Sequence, residues 1–301
     1  MDKVGDKPLI WNIDGYELLI SHPQKLYWPK ERYTKIDVLN YYRTISTTIL
    51  PYFKDRPVTL HYFPRGIEGF SFYKRNFENE SLIRTASYKE VSQDKTIQVP
   101  LIDSSSGLLW LASRGGIEFH LWSSKMPNYT HPDIAIFDLD ISKDTDFNDV
   151  LKAGWYLHEL LNSIKIKSYP KTSGGTGLHV YVPIVAKYSF ELVRNWVKSI
   201  GNKLANCYPE IISTKKDKGA THKSDKVIID CLQNVISRNT AAPYTVRAYS
   251  SAPISTPLSW DEVKKGGFTP KSFTIKNVPD RVAKLGDLFS EVLTNKQQLP
   301  L

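Results

Sequence analysis

Cysteine is almost missing from this chain. Cys207 and Cys231 are the only two, they have no CxxC spacing and no histidine cluster beside them, and neither a disulfide framework nor a zinc site can be read from them. Such usage fits a reducing, intracellular setting. Long apolar runs are lacking too: nothing approaches the roughly 18 residues of a membrane span, and the first residues are rich in Asp and Lys rather than in signal-peptide character. The expectation is a cytoplasmic protein with no membrane partner, associated with the nucleoid if nucleic acid is what it binds. Internal repeats and low-complexity tracts are absent. So are the Gly-Lys-Ser/Thr loop of a Walker site and the spaced glycines of a dinucleotide fold.

What the chain has in surplus is positive charge. Its 301 residues carry 40 Lys and Arg against 31 Asp and Glu, a formal +9 at pH 7. A surplus of that size favours a polyanionic partner such as nucleic acid, although a basic, well-solvated surface gives the same figure. With 7 Trp, 17 Tyr and 12 Phe there are enough aromatics for base stacking as well as for a core.

The stretch Ile134 to Asp140 organises the reading. An apolar run ending in Asp138-Leu139-Asp140 reads as a buried strand, and the period of two puts both carboxylates on one face. Like charges so close call for a positive partner, and a hard divalent cation is the usual one. An acidic loop start is the competing reading, since Asp144, Asp146 and Asp149 follow. An EF-hand is excluded because Lys143 and Asp149 stand where it needs Gly and Glu. A second apolar strand, Val227 to Asn234, delivers Asp230 as a natural third ligand. Three carboxylates of this kind suit a two-metal phosphoryl-transfer site.

Around these strands the remaining elements fall into place. Tyr16 to Ile20 reads as a strand, and Ser21 to Pro29 as a proline-bounded loop carrying Lys25. Thr34 caps a helix over Lys35 to Leu50 that Pro51 ends, so Lys25 and Lys35 stand at a helix start, where an anion is favoured. Val58 to Phe63 and Phe70 to Arg75 read as strands whose aromatics interleave with basic residues. Ile102 to Ser113 reads as a helix, and Ile117 to Ser123 as a strand with Glu118, His120 and Trp122 on one face. Helices follow at Asp149 to Ser163 and Phe190 to Ala205, with Trp260 to Lys265 and Asp280 to Leu293 near the end; Tyr244 to Tyr249 reads as a strand. Between Tyr169 and Pro183, Gly174, Gly175 and Gly177 form either a glycine-rich hairpin or a cradle for a triphosphate, with His179 and Tyr181 on one face of the strand after it. The basic segment Thr214 to Lys226 is a solvated face or a phosphate clamp.

Taken together, Phe137 to Asp140, Ser173 to Val180, Ile229 to Asn234, Ala242 to Ala248 with Thr256 to Val263, and His22 to Tyr27 resemble the polymerase domain of the end-joining ligase LigD, a branch of the archaeo-eukaryotic primase superfamily. The resemblance spans nearly the whole chain. It implies an α/β (α+β) primase-polymerase core of two packed β-sheets flanked by helices, one domain over residues 1–301, in which residues 1–55 form an N-terminal segment and helix contacting DNA ends. It also implies that Asp138, Asp140 and Asp230 hold two Mn²⁺ or Mg²⁺ ions, and that Ser173, Gly174, Gly175, Thr176 and His179 bind the triphosphate. Arg247 and Lys223 would add charge, and Gln233 and His120 would line the nucleotide site. Lys25 and Lys35 would receive a DNA 5′-phosphate, and Phe72 and Tyr73 would stack on template bases. The implied activity is template-directed addition of nucleotides, ribonucleotides by preference, to primers at gapped or broken duplexes in non-homologous end joining, beside Ku and a DNA ligase. A dedicated primase and a non-catalytic end-binding module are the alternatives. Two departures stand out: Thr176 replaces a lysine frequent in the family, and few basic residues occupy Thr59 to Phe63.

Overall fold

The computed structural model describes residues 7–78, 80–90, 94–214 and 225–300. Two hairpins come first, β1 (Leu9–Ile13) with β2 (Tyr16–Ile20) and β3 (Leu26–Trp28) with β4 (Tyr33–Thr34), and lead into helix α1 (Lys35–Phe53). Strands β5 (Val58–Tyr62), β6 (Phe72–Lys74), β7 (Arg84–Glu90) and β8 (Lys95–Leu101) precede α2 (Ser105–Ser113) and β9 (Gly116–Trp122). Then come β10 (Ile134–Asp140), α3 (Phe147–Ser163), β11 (Tyr169–Thr172), β12 (Leu178–Pro183) and α4 (Phe190–Cys207). The chain closes with β13 (Ile212–Ser213), β14 (Val227–Asp230), β15 (Asn239–Ala241), α5 (Trp260–Lys265), α6 (Val278–Leu285) and α7 (Glu291–Thr294).

Two principal sheets result, a five-stranded one in the order β11-β12-β10-β14-β13 and a four-stranded one in the order β15-β9-β5-β6. Strand alternation decides what each face does. In β10, Ala135, Phe137 and Leu139 join Leu178, Val180 and Val182 of β12 in a core roofed by α3 and α4. Ile134 and Ile136 point the other way, into a second core built on α1, α2, β5 and β9. Asp138 and Asp140 therefore emerge on the face away from α3 and α4. The expected fold class, two packed sheets flanked by helices, is what the structure has.

Several boundaries differ from those expected. Pro51 does not end α1, because Tyr52 and Phe53 are buried and Lys54 N–H still reaches the Leu50 carbonyl at 3.2 Å. Helix α2 starts only at Ser105, where Ser104 caps it. Helix α3 starts at Phe147 because Asp146 and Asp149 form a reciprocal capping box. Tyr244 to Tyr249 is no strand: Tyr244 has φ +64°, and the segment hooks back through an isolated bridge between Val246 and Ile254. The last expected helix is two, parted at Gly286 with φ +71°. Beyond Asp230, Asn234 takes over pairing with a side chain that accepts from Ile136 N–H at 2.9 Å and donates to its carbonyl at 2.7 Å.

The two sheets are tied where β5 and β10 begin. Arg56 is 2% exposed and grips Asp133 through Nη1 at 2.6 Å and Nη2 at 2.7 Å, while Lys296 Nζ adds a third contact at 3.0 Å. Burial alone would push the Asp133 carboxyl up, but Arg56 and then Lys296 outweigh it and hold it at about 2. A carboxyl depressed in the fold stabilises fully above its unfolded value near 3.8 and loses that contribution as pH falls towards 2. Asp133→Asn is expected to cost about 2 kcal/mol or more at pH 7. The deficit relative to wild type should shrink between about pH 4 and pH 2, as read by urea denaturation across that range.

Candidate active site

Register places one row of polar side chains across four strands of the larger sheet. Lys171 lies opposite His179, His179 opposite Asp138, and Asp138 opposite Asp230, so all four share a face. Asp140, two residues on from Asp138, shares that face at the strand end. Asp138, Asp230 and His179 are each buried to within 8% exposure, and Lys171 completely. Asp138 accepts from Gln233 Nε2 at 3.1 Å and lies 3.3 Å from His179 Nε2, and Asp230 accepts from Leu232 N–H at 2.8 Å.

The proton positions along this row follow from its partners. Ser255 donates its hydroxyl to the Thr172 carbonyl at 2.8 Å, so it accepts from Lys171 Nζ at 2.6 Å. A bare Nε2 facing the Asp138 carboxylate would set two lone pairs together. Nε2 therefore carries the His179 proton, and Nδ1 accepts from Lys171 Nζ at 2.9 Å. Burial, with the Lys171 charge second, pushes His179 down to about 4 against the pull of Asp138, which keeps the ring neutral near pH 7. Burial likewise carries Lys171 well below the usual lysine range, with Arg247 acting in the same sense.

Beside the row, Ser173 Oγ accepts from Gly175 N–H at 3.1 Å and Gly177 N–H at 3.0 Å and so shapes the glycine loop. Thr176 is exposed at its tip. Gly174 has φ +73°, and a Cβ there would stand 2.6 Å from Arg247 Cγ. Arg247 donates through Nη1 to the Ser173 carbonyl at 2.6 Å and brings Nε within 3.2 Å of Glu118 Oε1, a charge contact without hydrogen-bond alignment. Through Arg247 the loop of the larger sheet reaches His120 and its neighbours on the smaller one.

That second cluster centres on Glu118, which is 3% exposed. His120 Nε2 at 3.0 Å and His61 Nδ1 at 3.2 Å both meet its Oε2, and Ala248 N–H donates to Oε1 at 2.7 Å. Burial would raise this carboxyl, but the hydrogen bonds from His120 and His61 and the Arg247 charge outweigh it and hold it far below the usual range. Burial in turn lowers His120, against the opposing pull of its bond to Glu118. Tyr73 is 62% exposed and stacks on His61 at 3.9 Å, while Phe72 stacks on Tyr62 at 5.2 Å and on exposed Phe70 at 5.7 Å.

Lys25 and Lys35 adjoin each other at the start of α1, where Lys35 N–H donates to the Lys25 carbonyl at 2.8 Å. Lys25 Nζ donates to the Pro64 carbonyl and Lys35 Nζ to the Ser21 carbonyl, each at 2.7 Å. The β3–β4 hairpin between them also docks on the segment after Arg247: Trp28 Nε1 donates to the Tyr249 carbonyl at 2.7 Å, and Glu31 accepts from Ser251 N–H at 2.6 Å. Lys223, with Lys215, Lys216, Lys218 and His222, lies outside the described residues.

Among the described residues no group of three His, Cys, Asp or Glu side chains is preassembled around a metal position. The donor chemistry still fits, since carboxylates from adjoining strands are the oxygen ligands that hard divalent ions select. Glu118, His61 and Lys171 are the members that motif reasoning left without a role. Their only signals were the alternation Glu118-x-His120 and the lysine preceding the Thr172 to Gly177 loop. Gly177 shows how tight the site is, for a Cβ there would lie 2.4 Å from the Leu139 carbonyl and 3.0 Å from Asp140 Oδ1. Gly177→Ala is expected to destabilise the fold by about 1–3 kcal/mol in chemical denaturation, because that strand end must shift.

Residues 34–289 match the family model described as LigD, primase-polymerase domain. Over 286 residues the chain is 30% identical to the bifunctional non-homologous end joining protein LigD of Bacillus subtilis, covering 95% of this chain and 46% of that protein. It is 25% identical over 283 residues to the multifunctional LigD of Mycolicibacterium smegmatis, covering 93% of this chain and 37% of that one. The chain thus spans half or less of the length of these relatives. Among solved structures, the polymerase domain of Mycobacterium tuberculosis Ligase D in complex with DNA shares the fold, with a TM-score of 0.85 at 24% identity over 93% of this chain and 99% of that one. Among the described residues no helix is long and apolar enough to cross a membrane. On the family match, which takes in both sheets and the whole polar row, the chain belongs to the LigD primase-polymerase domain family.

Proposed function

We propose that this chain is a template-directed nucleotidyltransferase that extends primers and fills gaps at double-strand breaks in non-homologous end joining, with ribonucleotides preferred. The observation that carries the reading is the register of β10 and β14, which sets Asp138 directly opposite Asp230 with Asp140 on the same face. Asp138, Asp140 and Asp230 would hold two divalent ions, Mn²⁺ or Mg²⁺. When bound, such ions polarise a phosphoryl oxygen and neutralise developing charge.

The chain's own residues do the positioning. Ser173, Gly174, Gly175 and Thr176 form the turn we assign to the triphosphate, and His179 stands in the polar row beside it. Arg247, tied to the Ser173 carbonyl, Gln233, tied to Asp138, and His120, tied to Glu118, are assigned to the same nucleotide, and Lys223 lies in the basic segment we assign to the phosphates. Tyr73, exposed and stacked on His61, and Phe72, stacked on Tyr62 on the opposite face of the same strand, are the rings we assign to template bases. Lys25 and Lys35 stand at a helix start suited to a DNA 5′-phosphate. Residues 1–55 would complete the DNA-binding face of one catalytic domain. The activity would work with a Ku-like end-binding partner and a DNA ligase, on the nucleoid in the cytoplasm.

The test is primer extension on a gapped, 5′-phosphorylated duplex with Mn²⁺ or Mg²⁺, comparing ribonucleotides with deoxyribonucleotides. Asp138→Ala should lower extension by about a thousandfold or more while DNA binding survives; retained synthesis would sink the carboxylate assignment. Wild type that grips ends tightly but never extends would instead be a binding module, and synthesis on single strands without a primer would make it a primase. Lys25→Ala with Lys35→Ala should erase the preference for phosphorylated over hydroxyl gap ends at low salt, with thermal melts as the folding control. An unchanged preference would place the phosphate pocket elsewhere.

A further inference from the structure

Glu118 is buried, lies on a different sheet from the carboxylate row, and has no part in the chemistry above. It is nonetheless the junction of three separate segments. From β5 comes His61, the ring on which Tyr73 stacks at 3.9 Å. From β9, its own strand, comes His120. From the hooked segment come Arg247, which reaches on to the Ser173 carbonyl, and the Ala248 backbone N–H. One carboxylate thus receives donors or charge from a group beside the template platform, a group beside the nucleotide space and the arginine that braces the glycine loop.

We propose that Glu118 is a positioning residue that holds the template-stacking face and the nucleotide-binding groups in a single frame; the proposal rests on the polymerase reading above. The physical reason is acceptor capacity. An ionised carboxylate has about four lone-pair sites and no donor, so it can take His61, His120 and Ala248 at once and still attract Arg247. An amide cannot do this, because one end of it is a donor that faces two further donors. Both histidines are thereby fixed as donors towards Glu118, which sets the plane of His61 and with it the plane of Tyr73. A substitution at Glu118 should therefore disturb two functions whose residues stand on different segments, which damage at either site alone would not do.

The experiment compares wild type, Glu118→Gln and His61→Phe on a gapped duplex with 2-aminopurine as the template base and Mn²⁺ present. Glu118→Gln is expected to raise the nucleotide KM about tenfold, the scale of one charge-assisted hydrogen bond lost. Its kcat should change less, and quenching of 2-aminopurine should weaken. His61→Phe keeps a ring under Tyr73 but cuts its tie to Glu118, so quenching should weaken with a smaller change in KM. A folded Glu118→Gln that matches wild type in both readouts, or that differs only in melting temperature, would overturn the role. If Glu118→Gln does not fold, His61→Phe decides, and undiminished quenching overturns it. Wild type that shows neither extension nor quenching would remove the polymerase reading and this role with it, a result distinct from an active wild type with an indifferent Glu118→Gln.

Discussion

Everything near the polar row depends on the antiparallel register of β10 with its two neighbours. Burial of Ala135, Phe137 and Leu139 against α3 and α4 leaves the strand one orientation, because a slip by a single residue would turn Asp138 into the apolar core. The same argument applies to β12, where Leu178, Val180 and Val182 hold the helix side and send His179 and Tyr181 to the other. The charges are thus set in place by apolar residues that never touch them. Asn234 extends the lock past the end of β14 by pairing its amide with the backbone of Ile136, which keeps Gln233 within reach of Asp138.

Burying so much polarity is tolerable only because its partners are supplied. Lys171 has Ser255 and His179, Glu118 has donors from two histidines and a backbone amide, and Asp133 has Arg56 and Lys296. These clusters have different work. The Asp133 cluster joins the beginnings of β5 and β10 and so fixes one sheet on the other. The Lys171 row and the Glu118 cluster fix the orientation of their own polar side chains, and Arg247 links them through the Ser173 carbonyl.

The N-terminal hairpins show how a surface segment becomes part of this arrangement. The β3–β4 turn is held through Trp28 and Glu31 to the backbone after Arg247, and through Lys25 to Pro64. The residues leading to the exposed aromatics and those leading away from the arginine are therefore braced by one short element. Phe72 and Tyr73 on β6, and Phe70 just before it, stay exposed; among the described residues β6 pairs only with β5.

The sequence by itself determined the strands carrying Asp138, Asp140 and Asp230, the face they share, the glycine loop, and the family. Those features are written in local periodicity and in motifs whose spacing is fixed along the chain. It misplaced the ends of α1 and α2, the hooked segment after Tyr244 and the break at Gly286, because burial of Tyr52 and Phe53 and two residues at positive φ outweighed propensity there. Only the tertiary structure decided that Lys171 stands behind His179, that Asp138 faces Asp230, and that Glu118 gathers His61, His120 and Arg247. The Asp138 strand and the segment after Asp230 meet over separations such as the 95 residues between Asp138 and Gln233, and the Glu118 cluster over as many as 130, between Glu118 and Ala248; pairing over such separations leaves no mark in local pattern. A buried lysine or glutamate reads in sequence as one more surface charge until the fold surrounds it with partners.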